Sequence, residues 1–122
     1  MFLLVAAGAA VGAPLRYLTD RLVQQRYGGV FPWGTLAVNV VGSFVFGVVM
    51  AAAAGGAASD ELVAALGFGF CGGLTTYSTF GYETLRLIEG GARLYSLLNV
   101  VVSITVGLAA AAAGWAVGAA VW

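Results

Sequence analysis

Histidine is absent from this chain and cysteine occurs once, as Cys71. Without histidine the commonest general base and metal ligand is missing. A single cysteine excludes an intramolecular disulfide and a cysteine metal cluster, and reads most simply as a small buried apolar side chain. Charge is scarce as well. Only 8% of residues are charged, where a soluble domain carries about 25%, and the net charge is zero. That balance gives no hint of a nucleic acid or an acidic partner. Such a chain cannot cover a soluble surface with polar groups. With 61% hydrophobic residues and a mean hydropathy of +1.00, its 122 residues read as a single transmembrane domain, 1–122.

Further absences narrow the chemistry. There is no cysteine pair and no serine with a plausible base, so no catalytic set is visible and an enzyme is not expected. The apolar start, Met1 to Leu15, has no basic residue in front of it, as a cleaved signal peptide would. It is expected to be the first membrane segment. No carboxylate falls at mid-membrane depth in the first, second or fourth of the spans set out below. A proton-coupled exporter needs such a group, and a cation channel lined by acidic rings needs several.

What is present divides into four expected transmembrane helices, an all-α arrangement with spans of about 2–18, 33–54, 62–88 and 94–121. In the first, Gly8, Gly12, Arg16 and Asp20 recur every four residues and share one helical face. Gly8 and Gly12 read equally as ordinary membrane glycines and as a small-xxx-small contact. Asp20 to Gly29 reads as an interfacial connector. Pro32 and Trp33 then suit a first helical turn and the headgroup level. In the second span Thr35, Asn39, Ser43 and Gly47 form a polar and small stripe. An unpartnered amide in hydrocarbon costs several kcal/mol, so Asn39 is either a bond between helices, worth about 0.6 kcal/mol, or a pore-lining group. Ser59 is a candidate N-cap. Glu83 and Arg86, three apart, suit a structural pair, and Gly90-Gly91 suits a turn. The fourth span repeats the second's stripe as Asn99, Ser103 and Gly107.

The third span is the unusual one. In Gly67 to Phe80 a glycine pair, Gly72-Gly73, runs into Thr75, Thr76, Tyr77 and Ser78. Glycine and hydroxyls build a poor lipid-facing helix. Non-helical backbone at membrane depth survives only where protein or a water-filled cavity satisfies it. This span is therefore expected to break near its centre, at 72–76, and broken transmembrane helices are where ions and substrates bind. The donors nearby are neutral: Thr35, Asn39, Ser43, Thr75, Thr76, Ser78, Thr79, Asn99 and Ser103. Neutral donors can replace the hydration shell of a small anion, and the positive edge of Phe80 can lie against it. Carbonyls freed at the break can hold a cation.

Four blocks then acquire a common meaning. They are Gly12-Ala13-Pro14-Leu15-Arg16-Tyr17, Gly34 to Phe44, Gly69 to Phe80 with Glu83, and Asn99 to Ser103. In that order and over the whole chain they resemble the Fluc (CrcB-like) family of small fluoride channels. The resemblance implies a dual-topology dimer of antiparallel four-helix subunits in the cell's inner or plasma membrane. It implies two narrow pores and passive export of fluoride that entered as HF. It also implies one structural sodium held by backbone carbonyls of both subunits, to which Gly72 and Thr75 correspond. Tyr77 and Phe80 fall on the two aromatic positions of the fluoride path. Asn39 falls on the asparagine oriented toward them, Ser103 on the fourth-helix hydroxyl, Thr79 in the polar track, and Arg16 near the aqueous mouth.

Two features depart from the family pattern. The first aromatic position is usually phenylalanine and here is Tyr77. All five arginines fall in 16–26 and 86–93, on one side of a four-span topology. The positive-inside rule would place that side in the cytoplasm. An antiparallel homodimer favours balanced loops, so the second subunit is either a copy of this chain or an oppositely biased relative. Two other classes share some features. A small dual-topology multidrug exporter has the same size, but should carry a glutamate in its first span. A non-transporting scaffold subunit fits the glycine and alanine content but not polar stripes converging on a break.

Overall fold

The structure, a computed structural model, describes residues 2–27, 29, 31–75 and 78–122, with the backbone alone at Ser78 and Thr79. The described residues are helices joined by short turns. Helix α1 is Phe2–Tyr27 and α2 is Trp33–Ala54. Helix α3, residues 60–74, starts as α-helix at Asp60–Leu62, widens to a π-helix at Val63–Cys71 and closes as α-helix at Gly72–Leu74. Helix α4 is Ser78–Glu89 and α5 is Arg93–Val121.

Helix α1 differs from expectation. The connector foreseen from Asp20 is helical through Tyr27, and Pro14 lies inside the helix without ending it. Leu22, Val23, Gln24, Gln25 and Arg26 tolerate a helix, and no glycine interrupts them. At 1.5 Å per residue, 26 residues extend about 39 Å, beyond a hydrocarbon core of about 30 Å, so the charged end projects past the apolar zone. There Gln24 organises the start of α2. Its amide oxygen accepts from Gly34 N–H at 3.2 Å and its nitrogen donates to Phe31 C=O at 3.3 Å. Trp33 stays exposed and tilts against Phe31, with ring centroids 4.7 Å apart. At the opposite turn Ser59 caps α3 as expected, its hydroxyl accepting from Leu62 N–H at 3.2 Å.

Among the described residues three helices are long and apolar enough to cross a membrane: α1, α2 and α5. The chain is a multi-pass membrane protein. The two shorter helices α3 and α4 lie between α2 and α5 in sequence, and Gly91, at φ +81°, turns the chain from α4 into α5.

Close backbone approach holds the long helices. Helix α5 packs most extensively on α2, and α1 on the π-helical part of α3. In the second pair Gly8 and Gly12 meet the backbone of Ala65 and Phe70. A Cβ on Gly69 would sit 2.6 Å from Val5 C=O, and one on Gly73 2.9 Å from Ala9 Cα. The small-xxx-small reading of Gly8 and Gly12 is the one the packing bears out. In the first pair Gly114 faces the Phe44 and Val48 backbone and Gly47 faces Ala111 and Trp115. The most deeply buried large side chains are Val38, Thr35 and Asn99, two of them polar.

Candidate functional site

The site begins where α3 stops. Leu74 is its last helical residue. Thr75 is extended, with φ −82° and ψ 161°, and helix resumes at Ser78. The interruption thus starts at Thr75, later than the expected 72–76, because Gly72 and Gly73 still hold helical geometry. Thr76 and Tyr77 lie outside the described residues, as does the side chain of Thr79. Thr75 seals the helix end itself. Its N–H and its hydroxyl both donate to Cys71 C=O, at 2.9 and 2.8 Å. Its methyl group presses on Gly42 of α2, where any Cβ would collide with it.

Beside Thr75 a cavity of about 310 Å³ is lined by Asn39 and Ser43 of α2, Phe80 of α4, and Ser103 and Ile104 of α5. The stripes of α2 and α5 meet across it. Asn39 is therefore a cavity-lining residue. A second hollow of about 310 Å³ adjoins the first through Ser43 and Thr75, and includes Phe46, Cys71 and Gly72. Among the described residues, none of the side chains lining either hollow is charged. Hydroxyls, an amide and an aromatic ring in apolar walls can donate hydrogen bonds to an anion. They offer a desolvated cation no carboxylate.

Behind the cavity runs a chain of hydrogen bonds that spacing did not reveal. The Thr84 hydroxyl donates to Phe80 C=O at 2.8 Å, one turn back. Asn99 Nδ2 donates to Thr84 Oγ1 at 2.9 Å, and Ser103 Oγ donates to Asn99 Oδ1 at 3.3 Å. Ser96 Oγ adds a bond to Thr84 C=O at 3.2 Å. These contacts fasten α4 to α5. Buried Thr35 donates to Glu83 Oε1 and so ties α2 to α4. The expected Glu83–Arg86 pairing gives way to this bond, and Arg86 lies over the Tyr82 ring, 5.8 Å from its centroid. Glu83 and Arg86 also line a wide cleft of about 880 Å³ with Asp20, Arg21 and Gln24, at the arginine-rich end. Of the expected path residues, the structure brings Asn39, Phe80 and Ser103 together at Thr75. Arg16, partly exposed on α1, lines neither the cavities nor the cleft.

The resemblance asks for a cation between Gly72 and Thr75. Among the described residues no cluster of three or more His, Cys, Asp or Glu exists, so donors there would be carbonyl or hydroxyl oxygens. Oxygen donors suit a hard cation. Gly72 is exposed, and a Cβ on it would meet nothing within 4 Å. Thr75 leaves the helix, so its carbonyl is off the helical ladder. Gly72 itself is still helical.

A family model described as CrcB-like protein, Camphor Resistance (CrcB), matches residues 3–115. The chain is 57% identical over 121 residues to the fluoride-specific ion channel FluC 1 of Streptomyces avermitilis, an alignment covering 99% of this chain and 98% of that one. It is 56% identical over 126 positions to the protein of the same name from Frankia casuarinae, covering 99% and 98%. It is 45% identical over 102 residues to the fluoride-specific ion channel FluC of Shewanella woodyi, covering 84% and 82%.

Proposed function

The chain belongs to the CrcB-like family, and from that premise we propose that it is a fluoride channel, passing the anion passively out of the cell. The observation that carries the reading is the uncharged cavity at Thr75, with Asn39, Phe80 and Ser103 on its walls. A small anion there receives hydrogen bonds from neutral donors and the positive edge of the Phe80 ring. It meets no carboxylate. Tyr77 and Thr79 are assigned to the same path by sequence position, and Arg16 to its aqueous mouth. A negative interior drives the anion outward by about 2.3 kcal/mol per charge per 100 mV.

In this reading α3 and α4 together make the third of four crossings, interrupted between Leu74 and Ser78. Two such subunits pack antiparallel, and the open surface at Gly72 faces the second one. The carbonyls of Gly72 and Thr75 and their counterparts across the interface hold one sodium ion. Its positive charge offsets part of the cost of bringing an anion to that depth. The second subunit is a copy of this chain or an oppositely biased relative.

The test is fluoride-electrode efflux from liposomes containing the purified chain. Asn39→Asp places a like charge on the path and Phe80→Ile removes the ring edge. Each is expected to slow release by about ten-fold or more, equivalent to roughly 1.4 kcal/mol. Efflux unchanged in both variants would remove the cavity from the path. Passive flow also predicts a rate indifferent to an imposed proton gradient.

A further inference from the structure

Asn99 lines neither hollow, yet its side chain is 0% exposed and it bonds both Ser103, which borders the cavity, and Thr84, which bonds the backbone of cavity-lining Phe80. Counting donors fixes the direction of its bonds. The Phe80 carbonyl can only accept, so the one Thr84 hydroxyl proton goes to it, at 2.8 Å. Thr84 Oγ1 can then only accept, and Asn99 meets it with the amide nitrogen at 2.9 Å. The Asn99 carbonyl oxygen must therefore face Ser103, and Ser103 must donate, at 3.3 Å. One fixed acceptor in the first turn of α4 thus decides where a hydroxyl proton on α5 points.

With its proton on Asn99, Ser103 shows the cavity only lone pairs, which repel an anion. An anion bound there needs that proton. The Ser103–Asn99 bond is the longest in the network and so the weakest, hence the one an entering anion takes over. We propose that Asn99 is a positioning residue of the anion path, holding the Ser103 hydroxyl proton when the cavity is empty and yielding it to an anion. Through Thr84 it also keeps the Phe80 end of α4 against α5. The proposal rests on the fluoride-channel reading. Conduction needs an anion site that binds on entry and lets go on exit. A fixed internal competitor for the same proton supplies that balance.

The experiment is fluoride efflux from liposomes made with the full chain, in a double-mutant cycle of Asn99→Leu and Ser103→Ala, with Thr84→Val and Thr84→Ser alongside. Each single change in the cycle is expected to slow release about ten-fold, equivalent to about 1.4 kcal/mol, Ser103→Ala by removing a hydrogen bond to the anion and Asn99→Leu by removing the competitor that lets the anion go. Because Asn99 acts through Ser103, the double variant should be no slower than Ser103→Ala alone. Thr84→Val should slow release several-fold, and Thr84→Ser, which keeps the donor, should restore most of it. Independent roles for the two side chains predict multiplied losses, about a hundred-fold in the double variant. That result, or Thr84→Ser as slow as Thr84→Val, overturns the proposal. If Asn99→Leu fails to give monodisperse protein, the cycle of Thr84→Val with Ser103→Ala decides by the same criterion. A wild-type chain that carries no fluoride, either alone or with an oppositely biased relative added, overturns the channel reading itself, whereas wild-type conduction with multiplied losses overturns only the role of Asn99.

Discussion

The two ends of α5 are held by opposite means. Its C-terminal half lies on α2 through glycines, with Gly114 against the Phe44 backbone and Gly118 placed so that a Cβ would be 2.6 Å from Ala51 Cβ. Its N-terminal half holds α4 through Ser96 and Asn99, side chain to side chain and side chain to backbone. Lipid gives apolar helices no reason to prefer one another over acyl chains, so close approach of small residues supplies the attraction. A buried hydroxyl or amide is different, because it needs a partner. Polar groups are concentrated where α4 begins and where the cavity opens. The glycine seam fixes helices in place. The hydrogen-bonded seam carries groups that can be redirected.

Changes in each seam should separate these roles. The largest effect is expected from Gly114→Leu, which drives a side chain into the Phe44 backbone and should cost about 3 kcal/mol or more. Loss of a monodisperse peak in detergent on size exclusion would register it. Thr35→Val comes next. It leaves Glu83 without the Thr35 donor, and should lower stability by about 1–3 kcal/mol, read as a fall in melting temperature that Thr35→Ser does not reproduce. Ser96→Ala removes one bond of the α4–α5 seam and should cost about 1 kcal/mol. Asn99 and Thr84 still hold the two helices together, so efflux should fall less than in Thr84→Val. Smallest is Ser59→Ala, outside both seams. The lost cap is worth about 1 kcal/mol or less and should leave fluoride release at its wild-type rate.

Much of this was legible from spacing alone. A four-residue interval places side chains on one helical face, so the stripes Asn39–Ser43 and Ser103–Gly107 could be read without knowing that they meet across a cavity. The Ser59 cap and the Gly90-Gly91 turn are local events fixed by local chemistry. An interruption within 72–76 was also readable, although its onset at Thr75 and not at Gly72 was not, since glycine permits a helix as well as a break. What spacing misses is partnership across helices. Glu83 and Arg86 look like a pair because they are three apart. The donor that Glu83 takes is Thr35, from a helix 48 residues away in sequence. Thr84 attracted no notice for the same reason, since only the docking of α5 turns it into a junction. The helical continuation of α1 to Tyr27 was hidden by charges that mark an interface as readily as a helix emerging from one.

Comparison of fluoride with chloride release, from liposomes reconstituted with this polypeptide and nothing else, tests the central claim most directly. If uncharged donors at an interrupted helix conduct a small anion, fluoride should leave far faster than chloride. Equal rates for the two ions would contradict it.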